Sequence, residues 1–152
     1  MVATGTLGVM DDLAELLTRS YARLVGGRLV PDGVSDVAGW LYDAPFGLLA
    51  HDTSPDPVFV YANRTAQQHF GYGWDEFVGL PSRLSAGEED RGARAALLDA
   101  VRRQGYTDAY RGPRVAKSGR RFWIDDVTVW NLLTPDSERV GQAALIRSWS
   151  DA

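Results

Sequence analysis

A chain of 152 residues with a net charge of −4 is long enough for one domain that buries most of its apolar surface without covalent staples. Hydrophobic residues at 45% and charged residues at 24% are ordinary for a globular protein, and 5 tryptophans point to a core or pocket rich in large rings. With no cysteine, disulfides, thiol catalysis, Fe–S clusters and thiolate zinc sites are excluded, and the acidic balance argues against general nucleic-acid binding.

The opening MVATGTLGVM has no basic n-region, and Asp11-Asp12 arrive before an apolar h-region can form. The longest apolar run, near Ala44 to Ala50, falls far short of the ~20 residues a spanning helix needs. The expectation is a cytoplasmic protein without a membrane segment. Asp11 or Asp12 is placed to cap a first helix that ends at Gly26-Gly27, with Leu13, Leu16, Leu17, Tyr21 and Leu24 in one stripe. After Pro31 and Gly33, Ser35 is expected to cap a second short helix through Val37, Trp40 and Leu41, stopped by Pro45. Residues 1–34 therefore read as an N-terminal helix and linker, and 35–152 as the main domain.

From Phe46 the period changes to that of strands, over 46–51 and 57–61, with the turn chemistry of DTSPDP between them. Asn63 is expected to cap the next short helix by accepting from the N–H of Thr65 or Ala66, a contact worth about 1 kcal/mol. Gly71 and Gly73 let the chain double back, and Asp75 and Glu76 fall in the first turn of a further helix, where the dipole favours them. Ser85-Ala86-Gly87-Glu88 reads as a capping box opening one long helix to Gln104, whose buried stripe is Ala93, Ala96, Leu97, Ala100 and Val101. Three strands close the chain, over 106–115, 121–133 and 140–149, joined by turns at Lys117-Ser118-Gly119 and Thr134-Pro135-Asp136-Ser137. The fourth strand is apolar on both faces: Phe122, Ile124, Trp130 and Leu132 alternate with Trp123, Val127, Val129 and Leu133. A sheet of that kind needs a cover on each side. The helices between strands two and three supply one, and the N-terminal helix the other. The fold class is α+β, a five-stranded antiparallel sheet with helices on both faces.

Strand, strand, short helices, long helix and three strands is the layout of PAS domains, and VYANRTAQQHFGYGWDEFVGL is similar to their strand–Asn–helix–Gly pattern. YDAPFGLLAHDTSPDPVFVYAN, WDEFVGLPSRLSA, GYTDAYRG, GRRFWIDDVTVWNL and GQAALI resemble the MEKHLA family, from about Tyr21 to Trp149. That PAS-like domain stands alone in bacteria and ends plant homeodomain–leucine-zipper transcription factors. The resemblance implies a non-catalytic sensory or regulatory module that binds a small ligand or a protein partner, with strands one and five neighbours in the sheet.

Residue by residue, scaffolding explains much of the polar sequence: Asn63, Ser85 and Glu88 as caps, and the acids at helix starts and strand edges. The small residues Gly141, Ala143 and Ala144 opposite bulky Trp130 leave room for a cavity in which Asn131 or Gln142 orients a ligand. Arg83, Tyr61 and His51 complete the candidate ligand-binding set. The alternatives are a small α+β enzyme using His51 with Asp52, or Asp126, as acid–base groups, and a haem- or flavin-binding redox sensor. Both are thinly supplied: few ionisable groups converge, His69 is the one helical histidine and lies off the long helix, and a covalent flavin adduct needs a cysteine. No cofactor is required by the sequence, and no metal site is expected. Arg102, Arg103, Arg111, Arg114, Lys117, Arg120 and Arg121 form a basic strip, read as a solvated strand edge rather than a tight nucleic-acid site. The leucine stripe of the first helix leads to the expectation of a homodimer, with that helix lying on the sheet and touching its mate.

Overall fold

The computed structural model describes residues 2–152, with side chains from Met10 onward. Helices α1 (Val2–Leu24) and α2 (Val37–Tyr42) precede strands β1 (Gly47–His51) and β2 (Phe59–Ala62). Helices α3 (Arg64–Phe70), α4 (Trp74–Phe77) and α5 (Arg91–Gln104) follow, and then β3 (Tyr106–Val115), β4 (Arg121–Leu133) and β5 (Arg139–Asp151). The strands form one antiparallel sheet in the order β2-β1-β5-β4-β3, so the first and last strands pair inside it.

Both faces are covered, as a two-faced β4 demands. Helices α3 to α5 bury Phe70, Phe77 and Val101 against Leu49, Phe122, Ile124, Val127, Val129 and Ile146. On the other face α1 and α2 bring Leu17 and Leu41 onto Leu48, Tyr61, Trp130 and Leu145. Tyr21 of α1 meets Trp130 edge-on, with ring centroids 5.1 Å apart.

Three local expectations are corrected. Helix α1 is not capped at Asp11 or Asp12 but begins near Val2, since no proline interrupts the residues upstream. Asp36, not Ser35, caps α2, its carboxylate accepting from the Gly39 N–H. The capping box at Ser85 and Glu88 does not form: Gly87 is extended, and two single 3-10 turns, Ser82–Ser85 and Glu88–Asp90, stand where the long helix was expected to open. Ser85 Oγ donates to the Ser82 carbonyl at 2.7 Å instead of accepting, and Glu88 is exposed. Helix α5 therefore starts at Arg91. Its inward face is Arg94, Leu97, Leu98 and Val101, at spacings of three, four and seven, while Ala93 and Ala96 face outward.

A fourth correction concerns β4. Phe122 and Ile124 share a face with Val127 and Val129, while Trp130 and Leu132 lie on the reverse. The pairing with β3 explains it. Tyr110 pairs with Val127 and Gly112 with Ile124, so β4 carries one extra residue there, and Asp126 takes the left-handed φ of 50°. Such a bulge turns every later side chain to the opposite face.

Asn63 caps α3 as its position predicts, accepting from the Ala66 N–H at 3.1 Å, but it does more. It is fully buried, its Oδ1 also accepts from Leu48 N–H at 3.0 Å, and its Nδ2 donates to the carbonyls of Leu41 and Phe46 at 3.0 and 2.9 Å. One amide thus ties α2, β1 and α3 together, and removing it strands buried backbone groups on three segments. Asn63→Ala is therefore expected to cost about 3 kcal/mol or more, well beyond an ordinary cap. Urea unfolding reads this as a lower midpoint at unchanged slope.

Candidate ligand-binding cavity

Between α5 and the inner face of the sheet lies a cavity of about 40 Å³. Its apolar wall includes Leu49, Phe59, Val127, Val129 and Ile146, and its polar lining is His51, Ser85, Arg94, Tyr110, Arg114 and Gln142. A wider outer groove of about 380 Å³ adjoins it, and His51, Arg94, Leu98 and Gln142 line both.

Of the six ligand-binding candidates, His51 and Gln142 line the inner cavity and Asn131 sits beside them. Gln142 Nε2 donates to the Leu98 carbonyl and to Asn131 Oδ1, at 2.9 and 3.1 Å. Asn131 Nδ2 in turn donates to the carbonyls of Val101 and Arg102, capping the end of α5 from the neighbouring sheet. Arg83 is exposed at the outer groove, paired with Asp56 at 3.2 Å. Trp130 and Tyr61 belong to the opposite face, under α1 and α2, and reach neither space. Their Nε1 and Oη are buried without partners among the described residues, and burial pushes the Tyr61 phenol up.

His51 Nδ1 is 2.9 Å from the Asp52 carbonyl, which can only accept, so Nδ1 carries the proton. Nε2 is left as a buried acceptor without a partner among the described residues. Burial, foremost, lowers the His51 pKa and keeps the ring neutral, against the raising effect of the Asp52 carbonyl; the charges of Arg94 and Arg139 lower it further, and that of Asp52 raises it. The Asp52 carboxylate is committed elsewhere: it accepts from Ser54 N–H, Ser54 Oγ and Val58 N–H, which hold its pKa low against a burial effect that raises it. Asp126 is exposed on the β4 bulge, 3.8 Å from Arg147. His51 and the Asp52 carboxylate thus share no hydrogen bond, and Asp126 lies apart from both on the β4 bulge.

Sequence reasoning missed Arg94, Tyr110 and Arg114. The signal was present: Arg94 shares the i, i+3, i+4, i+7 spacing with Leu97, Leu98 and Val101. Arg114 was counted within the basic strip, yet it turns inward and is 8% exposed. The other six members are exposed and each meets a carboxylate: Arg102 and Arg103 share Asp99, Arg111 meets Asp125, Lys117 Glu76, Arg120 Asp151 and Arg121 Glu89. Gly112 makes room for the Tyr110 ring, since a Cβ there would stand 2.0 Å from the phenol oxygen.

Five antiparallel strands in this order, with helices crossing the inner face over a cavity, define a PAS-like domain. Solved structures with the same fold include the PAS domain of a Colwellia psychrerythraea protein, at 17% identity and TM-score 0.65, covering 73% of this chain and 92% of that one. The LOV domain of the Erythrobacter litoralis EL346 blue-light activated histidine kinase matches at 25% identity and TM-score 0.58, over 68% of this chain and 95% of its own. A light-oxygen-voltage domain described with a flavin analogue matches at 22% identity and TM-score 0.61, over 76% and 84%. The chain belongs to the MEKHLA domain family, whose model matches residues 11–151. No match among curated protein sequences reaches significance.

The LOV likeness does not extend to a flavin site. A cavity of about 40 Å³ is well below the ~300 Å³ at which sites for cofactor-sized ligands begin, and no cysteine offers an adduct. Nor does His69 suit a haem in this cavity: it lies flat on Trp149, centroids 3.8 Å apart, and lines no part of the cavity. No helix among the described residues is long and apolar enough to cross a membrane.

The His51 environment has a pH consequence. The unfolded chain takes up a proton on this residue as pH falls through about 6.5, while the buried ring resists it, so the stability present above that pH declines below it. His69, whose pKa burial and then Arg120 also lower, adds a slope of the same sign. Replacing His51 by Asn, whose amide nitrogen can keep the Nδ1 hydrogen bond, removes only the His51 share. Unfolding midpoints between about pH 7.5 and about pH 5.5 should therefore drop less in His51→Asn than in the parent. Equal drops would mean that His51 titrates alike in both states.

Proposed function

We propose that this chain is a non-catalytic sensory or regulatory module that binds a small ligand between α5 and the sheet and couples occupancy to self-association through α1. The observation that carries this reading is a buried space in which, among the described residues, His51 Nε2 has no hydrogen-bond partner and no acid lines the wall beside Arg94 and Arg114.

A continuous path joins the two functions. Gln142 and Asn131 hold the α5 carbonyls from the floor of the cavity. Trp130, next to Asn131 on β4, presses from the reverse face against Tyr21 of α1. A ligand that shifts α5 by bonding Arg94 would act on β4 and thereby on the seating of α1. Along α1, Leu17 is fully buried on the chain's own sheet, whereas Leu13 and Leu16 are half-buried. Leu16 borders a groove of about 430 Å³ with Leu133, Pro135 and Val140. This edge is where a second copy docks.

Native mass spectrometry of freshly purified protein is expected to reveal a bound small molecule. Light scattering at tens of micromolar should give twice the chain mass. Leu16→Asp should halve that mass and leave the far-UV circular dichroism intact, whereas Leu17→Asp should unfold the domain. A monomer at that concentration would refute the dimer and leave the covering role of α1 standing. Binding to DNA or RNA at physiological salt is expected to be weaker than micromolar, because the exposed basic residues are already paired. Submicromolar binding lost in Arg120→Glu with Arg121→Glu would contradict this.

A further inference from the structure

Two largely buried arginines meet at the inner cavity, whose lining holds no acid. Arg94 is 9% exposed and Arg114 8%, and neither Asp nor Glu lines the cavity. Arg114 Nη1 donates to the Pro113 carbonyl at 2.7 Å and to Tyr110 Oη at 3.4 Å, with its guanidinium 5.7 Å from the Tyr110 ring centroid. Those partners are neutral. Arg94 lacks even these, being held by no hydrogen bond or ion pair among the described residues. Burial, and then the like charge of Arg114, lower its pKa to about 9, while the nearby Tyr110 raises it, so it remains a cation at neutral pH. Two largely buried cations that repel each other and meet no carboxylate in the cavity are a costly arrangement for a chain that carries them only as packing.

We propose that the inner cavity receives a small monocarboxylate, its carboxylate between Arg94 and Arg114 and its short apolar chain against Leu49, Phe59, Val127 and Ile146. This rests on the sensory reading above and names its ligand class. The guanidinium fork matches a carboxylate with two parallel hydrogen bonds and neutralises the charge that burial makes unfavourable. A volume of about 40 Å³ has room for roughly three water-sized groups, which favours a short-chain acid. The apolar wall disfavours the alternatives: a phosphate would point oxygens at carbon, and a dicarboxylate would bury a second charge without a partner. The outer groove suits entry of an anion, since Arg83, Arg91, Arg94, Arg102 and Arg139 line it against Asp52, Asp56 and Asp99.

Thermal unfolding and titration calorimetry of the full chain with sodium acetate, propionate and butyrate test this, against sodium chloride at equal ionic strength and sodium phosphate. A saturable rise in Tm with a carboxylate, absent with chloride and phosphate, is expected. Arg94→Met should weaken the binding by about tenfold or more. Its own Tm without ligand should equal or exceed that of the parent, because a buried charge has gone. Should it fold poorly, Arg114→Met must show the same loss of the carboxylate response. A wild-type response in a folded Arg94→Met variant, or a phosphate response matching the carboxylates, would overturn the proposal. A neutral metabolite retained in native mass spectrometry with no carboxylate response would overturn this assignment alone. No retained molecule and no response to any acid would remove the sensory reading with it.

Discussion

The whole arrangement follows from a sheet that is apolar on both faces. β1 is buried along its entire length, and β4 is buried without a break from Val127 to Leu132. Strands of that kind must be shielded from water on each side, so α3 to α5 must lie on one face and α1 and α2 on the other. Each large side chain so covered contributes roughly 1.5–3 kcal/mol relative to exposure. Helix α1 is accordingly part of the core rather than an appendage: Leu17 is as buried as any residue of the sheet.

Within that frame, one inserted residue decides what each face can do. The bulge at Asp125 and Asp126 moves Val127, Val129 and Asn131 onto the α5 side and sends Trp130 and Leu132 to the α1 side. Without it, Trp130 would project to the α5 side and Asn131 would face α1. The cavity, the cap on α5 and the edge-on contact between Trp130 and Tyr21 therefore share a single backbone irregularity. Re-aiming side chains is one established use of bulges.

The cavity is also where the protein departs from the best-packed solution. Leu or Met at position 94 would continue the face of Leu97, Leu98 and Val101 and spare the chain a buried charge. Arginine there, with Arg114 beside it and His51 Nε2 without a partner among the described residues, puts a charge where an apolar side chain would pack. By contrast, other buried or turn polar residues have their hydrogen bonds met within the fold: Asn63, expected as a cap, joins three segments, Asn131 ends a helix, and Asp52 closes a turn.

Local physics settled much of this protein from the sequence alone. Strand periodicity located all five strands to within a few residues, glycine at Gly71 ended α3 with φ +78° as a left-handed cap must, and the motifs pointed to the family. The two-sided burial of the sheet was equally legible, because apolar residues at successive positions admit no other explanation. What only the tertiary structure decided was phase and orientation. The β4 bulge depends on how β3 pairs with it, so no property of the strand itself reveals which face Trp130 takes. Helix α5 was misoriented because alanine fits either face, and its true rotation is set by contact with the sheet. The inward position of Arg94 became visible for the same reason: a charge acquires its energy from its surroundings, and those are assembled from α5, β3 and β5, distant in the chain.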